Sequence, residues 1–108
     1  MDVTALQRLL DGGRETALLR LSLGKALLDA GEPGQASRHL QRCVELDPAY
    51  SAGWKLLGKA RLAAGDPAAA AQAWRQGIEV AHTNGDTQAE KEMRVFLRRA
   101  IKAMPPVP

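Results

Sequence analysis

A tetrapeptide occurs twice in this chain: Leu23-Gly24-Lys25-Ala26 returns unchanged 34 residues later as Leu57-Gly58-Lys59-Ala60. The same offset pairs Leu28 with Leu62, Ala30 with Ala64, Gly31 with Gly65, Pro33 with Pro67, Ala36 with Ala70 and Glu45 with Glu79. A period of this length marks stacked supersecondary units, none of which can bury its apolar face alone. A chain of 108 residues has room for one domain with one modest core. Phe, Trp and Tyr make up only 4% of it, so small aliphatic residues must fill that core. That suits close-packed helices and predicts an all-α fold.

Apolar spacing and stop signals predict about six helices. Leu19, Leu23, Ala26, Leu27 and Ala30 recur at threes and fours in residues 15–30, a helix with one buried stripe that Gly31 stops. Glu32-Pro33 opens a second helix to about Leu46, burying Ala36, Leu40, Cys43 and Val44. Asp47-Pro48 repeats the start signal, with Asp47 as cap of a helix from about Pro48 to Ala64. After a break at Gly65 and a cap at Asp66, the next helix runs from Pro67 to about Ala81, and His82-Thr83-Asn84-Gly85 reads as a turn. Thr87 and Glu90 suggest a capping box for a last helix that buries Met93, Phe96, Leu97, Ala100, Ile101 and Met104. Pro105-Pro106 ends it, with a loose tail to Pro108. At the other end, Asp2 caps a short helix over 3–11 that Gly12-Gly13 closes. Its Leu6, Leu9 and Leu10 precede Leu40, Cys43 and Val44 by the same 34 residues, so it reads as a capping half-repeat.

This pattern resembles the tetratricopeptide repeat. Counting Ala17 and Ser51 as first positions, the second unit has Trp54, Leu57, Gly58, Ala70 and Trp74 where the family has its tryptophan, Leu-Gly, alanine and aromatic residue. The first has Leu23, Gly24, Ala36, Leu40 and Pro48 and ends in Leu46-Asp47-Pro48. The organisation expected is a capping helix over 1–14, repeats at 15–48 and 49–84, a capping helix over 85–104 and a tail at 105–108. Arg20 stands in the tryptophan position, Leu27 and Arg61 replace a tyrosine, Gly77 an alanine and His82 the closing proline, which predicts a softer second junction. Bringing Met93 and Leu97 into the roles of Leu57 and Arg61 takes an offset of 36 rather than 34.

The resemblance implies a right-handed superhelical stack whose concave face binds protein or peptide segments without a cofactor. That face would carry Leu18, Leu21, Lys25, Leu28 and Asp29 from the first unit and Ala52, Lys55, Lys59 and Leu62 from the second. Lys55 and Lys59, four apart, repel on one helix face unless an anion relieves them. With Lys25 they point to an acidic or C-terminal carboxylate segment as partner; the plain alternative is solvated lysine, with Asp29 neutralising Lys25. The carboxylate clamp known in some members is not matched, because Leu21, Leu56, Asp86 and Glu90 occupy its basic and amide positions.

Residues 1–86 balance ten basic against ten acidic side chains, so the net charge of +3 lies entirely beyond them. Arg94, Arg98, Arg99 and Lys102 form a basic surface on the last helix, a solubilising cap or a face that docks on nucleic acid, an anionic lipid surface or an acidic protein. No aromatic side chain lies among them to stack on bases, which makes nucleic acid the weaker choice. A third reading is self-association, with the stack as a monomer or weak homodimer serving assembly. His39 and Cys43 share a helix face, but two ligands are too few for a metal, and Cys43 fits a buried packing position. Nothing near His82 has the spacing of a nucleophile or acid–base pair, so catalysis is not expected. One cysteine permits no intrachain disulfide, and the start lacks the pattern of an export leader. No run of apolar residues spans a bilayer, so a cytoplasmic adaptor is expected, and the Ala, Gly, Leu and Arg content suggests a bacterial source.

Overall fold

The first turn of each helix shows how local chemistry sets the elements. In the computed structural model, which describes residues 2–106, these are α1 (Val3–Asp11), α2 (Ala17–Asp29), α3 (Pro33–Leu46), α4 (Ser51–Ala63), α5 (Pro67–Asn84) and α6 (Thr87–Ala103). Asp2 accepts a hydrogen bond from the Thr4 amide, and Asp66 accepts one from Ala69, each satisfying a first-turn donor. Thr16 does the same for Leu19, so α2 begins two residues later than the apolar spacing suggests. After α2 and α4 the chain reverses through Gly31 and Gly65, at φ 76° and 88°, a region closed to most side chains.

Three expected boundaries are corrected. Helix α4 starts at Ser51, not Pro48: Asp47 accepts from the Ala49 amide at 3.2 Å and its carbonyl accepts from Tyr50 at 3.1 Å. Proline suits the second position of a turn as well as a first helical turn, and here it takes the turn. Helix α5 continues through His82 and Thr83 to Asn84, where Gly85 caps it and the Asp86 amide closes on the Ala81 carbonyl at 2.8 Å. The cap of α6 is Asp86, whose carboxylate accepts from Ala89, and Thr87 is already helical. Glu90, expected in the capping box, instead holds Arg94 and His82.

Helices α2 and α4 touch, as do α4 and α6, whereas no Cα of α3 lies within 8 Å of one in α5. The layer α2/α4/α6 is therefore the closer spaced of the two and forms the inner, concave side. Leu40 fills the space above Gly24, and Trp74 the space above Gly58, so each hairpin closes on a glycine. Trp74 also donates its indole N–H to the Lys55 carbonyl at 3.1 Å. Leu27, Ala36, Leu40, Val44, Leu57, Ala60 and Ala73 join the two repeats, and Leu6 packs with Leu19 and Leu23 to hold α1. The second junction is filled by Met93, fully buried over Gly77, where a methyl would overlap its sulfur.

Several expected core positions lie elsewhere. Leu9 and Ile101 are exposed, Ala30 sits at the exposed end of α2, and Ala26, Phe96, Leu97 and Met104 are half-buried. The helix phase placed them near the core, but for Leu9 and Ile101 the outward sides of α1 and α6 have no further helix to cover them. Trp54 is half-buried, its indole N–H donating to the Pro48 carbonyl at 2.8 Å.

Candidate interaction face

The side chains expected on the inner face lie on α2 and α4 and differ widely in exposure. Leu18 is 63% exposed and Leu62 39%, with Leu21, Leu28 and Ala52 half-buried beside them. Lys25 is exposed and, with Ser22, Ala26 and Asp29, lines a cavity of about 460 Å³. Lys25 and Asp29 form no ion pair, so the neutralisation considered from their spacing is not made.

The two adjacent lysines of α4 have separate intramolecular partners. Lys55 Nζ lies 3.0 Å from Glu92 Oε2 on α6, and Lys59 Nζ sits 5.0 Å from the centroid of the Phe96 ring. The Gln88 amide and the Lys55 ammonium hold the Glu92 carboxyl below its ordinary range. One turn earlier, Ser51 donates to Asp86 Oδ2 at 2.8 Å, and that bond, together with the Ala89 amide, keeps the Asp86 carboxyl low. The expected cationic pair is thereby reduced, with Lys55 already bound to a carboxylate. Glu92 and Phe96 were not among the expected site residues. The 36-residue offset of α6 was the available signal, since it brings Lys91 to the place of Lys55 and Glu92 next to it.

On α6, Arg94 is held by Glu90 at 2.8 Å, and His82 Nδ1 lies 3.2 Å from the same carboxylate. Arg94 and then His82 draw the Glu90 carboxyl below its ordinary range. Arg98, Arg99 and Lys102 are exposed and have no carboxylate within ion-pair distance among the described residues. Of the four, Arg94 is thus paired with a carboxylate while it stays exposed.

The position where a tryptophan was expected is polar for a visible reason. Arg20 binds Glu15 and points a second N–H at His39 Nδ1, 3.0 Å away, while Arg42 holds the other oxygen of Glu15 at 2.8 Å. Arg42 first and Arg20 second pull the Glu15 carboxyl down to about 2. Burial and the Arg20 charge push His39 the other way from protonation, leaving its ring as an acceptor. Cys43 is fully buried, and burial raises its thiol to about 11. Among the described residues no group of three or more His, Cys, Asp or Glu side chains is placed to hold a metal ion. Arg61, in the tyrosine position, donates to the Ala69 carbonyl at 3.1 Å and to Gln41 at 2.7 Å, tying α4 to α5 and α3. No described helix is long and apolar enough to cross a membrane.

Residues 17–60 match the family model described as tetratricopeptide repeat. The TPR repeat-containing protein PA0015 of Pseudomonas aeruginosa is 61% identical over 103 residues, covering 95% of this chain and 98% of that protein. The solution structure of protein BPP2914 from Bordetella parapertussis superposes with a TM-score of 0.80 at 39% identity, over 94% of this chain and 89% of that one. The crystal structure of the Sgt2 TPR domain from Aspergillus fumigatus, 21% identical, shares the fold with a TM-score of 0.73 over 98% of this chain and 73% of that one. With its six antiparallel-paired helices and these relatives, this chain belongs to the tetratricopeptide-repeat family.

Proposed function

We propose that the chain is a non-catalytic adaptor that docks a protein or peptide segment on the concave side formed by α2, α4 and α6. Family members are generally protein-interaction modules, which supports the class of function. One observation carries the particular face: Leu18 and Leu62 stay open to solvent beside half-buried Leu21 and Leu28, with the exposed ammonium groups of Lys25 and Lys59 at the edge. The segment that fits has an aliphatic side and a carboxylate to meet Lys25. Lys55 contributes to the shape of the face through its Glu92 pair and not as a free charge.

The test is affinity capture from the native host lysate with wild type and a Lys25→Glu/Leu62→Glu variant, both sites being exposed so that the fold is kept. A protein captured by the wild type and lost with the folded variant supports the concave site. Equal capture by both removes it.

A further inference from the structure

Helix α6 presents to solvent counterparts of two of the three groups through which α4 holds α6: Ser51 and Lys55 have theirs, while Val95 stands in the place of Lys59, whose contact to Phe96 is not repeated. The two helices start at Ser51 and Thr87, 36 residues apart, and burial follows the same offset: Gly53 and Ala89 are both buried, as are Leu57 and Met93. In this register Thr87 stands where Ser51 stands, and Lys91 where Lys55 stands. On α4 those two side chains are covered: Ser51 donates to Asp86, the N-cap of α6, and Lys55 pairs with Glu92. On α6 the hydroxyl and ammonium groups at the same positions are exposed and have no partner among the described residues. Beyond them, Val95, Arg98 and Lys102 continue the same stripe, since steps of three, four and seven residues return to one helix face. The acidic residues of α6, Glu90 and Glu92, face the body of the stack and are already paired, so this stripe carries cations only.

We infer that the outer face of α6 docks an acidic helix of a partner protein, seated on α6 as α6 is seated on α4. Its recognition pattern is the one α6 itself uses: a carboxylate at the N-cap to accept from Thr87 and a second one six residues on to meet Lys91, as Asp86 and Glu92 do for α4. Further carboxylates toward its C-terminal half meet Arg98 and Lys102, and an aliphatic residue between them covers Val95. Continuity with the α2–α4 and α4–α6 interfaces makes a helix the fitting shape, and the sign of the stripe makes it an acidic one. A second copy of this chain does not supply it. The residues at the N-cap and six positions on are Asp2 and Arg8 for α1, Thr16 and Ser22 for α2, Glu32 and Arg38 for α3, Tyr50 and Leu56 for α4, and Asp66 and Gln72 for α5. Only α6 carries both carboxylates, and α4 already engages them. Nucleic acid fits less well, because the stripe interleaves its cations with an aliphatic residue and offers no aromatic face for a base.

The experiment uses the full ¹⁵N-labelled chain and a synthetic alanine-based helical peptide with Asp at its N-cap, Glu six residues later and Leu at the intervening packing positions. Binding is expected to shift the amides of Thr87, Lys91, Val95, Arg98 and Lys102. Affinity is expected to fall roughly tenfold or more in Lys91→Glu/Arg98→Glu, and a peptide carrying Lys in place of that Glu should recover binding to the variant. Both substitutions are on exposed sites, and an unchanged thermal melt confirms that the variant is folded. The inference is overturned if the Asn/Gln version of the peptide binds equally well, if the shifts fall on α2 and α4 instead, or if no binding is seen. It is also overturned if a short DNA duplex or phosphatidylglycerol vesicles engage these residues and the peptide does not. Shifts on α2 and α4 would place the peptide on the concave face, and that face is tested separately by Lys25 and Leu62.

Discussion

Trp74 packs against Gly58 so closely that a methyl group on that glycine would overlap the indole ring. The ring cannot withdraw, since it is 1% exposed and its N–H is held by the Lys55 carbonyl. Gly58→Ala is therefore expected to lower stability by about 1–3 kcal/mol, although alanine is the better helix former. Gly34 is the control, because nothing stands within 4 Å of a methyl placed there. Gly34→Ala should raise stability by about 0.5 kcal/mol, and urea titrations of the two variants compare the signs directly.

Acid should weaken the fold through its bound carboxylates. Glu15, Asp86, Glu90 and Glu92 all have folded-state values below their ordinary ones, so the folded chain binds fewer protons than the unfolded chain. Their contribution is fully present above the ordinary carboxylate range and is lost as pH falls through the folded values, down to about 2 for Glu15. Melting temperature should thus drop steadily between about pH 5 and pH 2. Glu15→Gln should flatten the low end of that curve; an unaltered slope would remove Glu15 from the account.

The Lys55–Glu92 pair crosses from α4 to α6 with side chains 26% and 33% exposed. Lys55→Glu removes it and opposes two carboxylates, and the resulting loss of stability should appear first as faster amide exchange in α6. Lys55→Glu/Glu92→Lys restores opposite charges and should regain most of that stability. A double variant no better than the single one would show that the pair has no coupling energy.

Cys43 should be chemically silent in the folded chain. Its sulfur is inaccessible and its thiol is raised to about 11, so little thiolate exists near neutral pH. Labelling by a thiol-specific disulfide reagent is expected to proceed only as fast as the protein opens, and to become immediate in strong denaturant. Rapid labelling under native conditions would contradict this burial.

The helices were legible where the period and the apolar spacing agreed. The four residues expected to be buried in α3, Ala36, Leu40, Cys43 and Val44, are the four that are. The family resemblance likewise rested on Leu23-Gly24 and Leu57-Gly58, and these glycines do receive Leu40 and Trp74. What escaped were signals with two physical readings. Pro48 serves a turn or a first helical turn, and only Tyr50, extended at φ −86° and ψ 92°, shows which was taken. The partners of the α4 lysines were hidden for a different reason. Its lysines are four residues apart, but their partners Glu92 and Phe96 are 37 residues further along on a helix whose phase slips by two. Charge along a single helix says nothing about the counter-charge a later helix brings.

Each helix here touches its neighbours in sequence, and at most the next but one. Such a chain folds without bringing distant segments together, so the entropy lost in closing loops is small at every step and folding should be fast. Either hairpin can start the process and the other can add to it. The same connectivity makes the ends unequal: α6 is held by both α4 and α5, but α1 by α2 alone, so α1 should be the last helix to join and the first to leave.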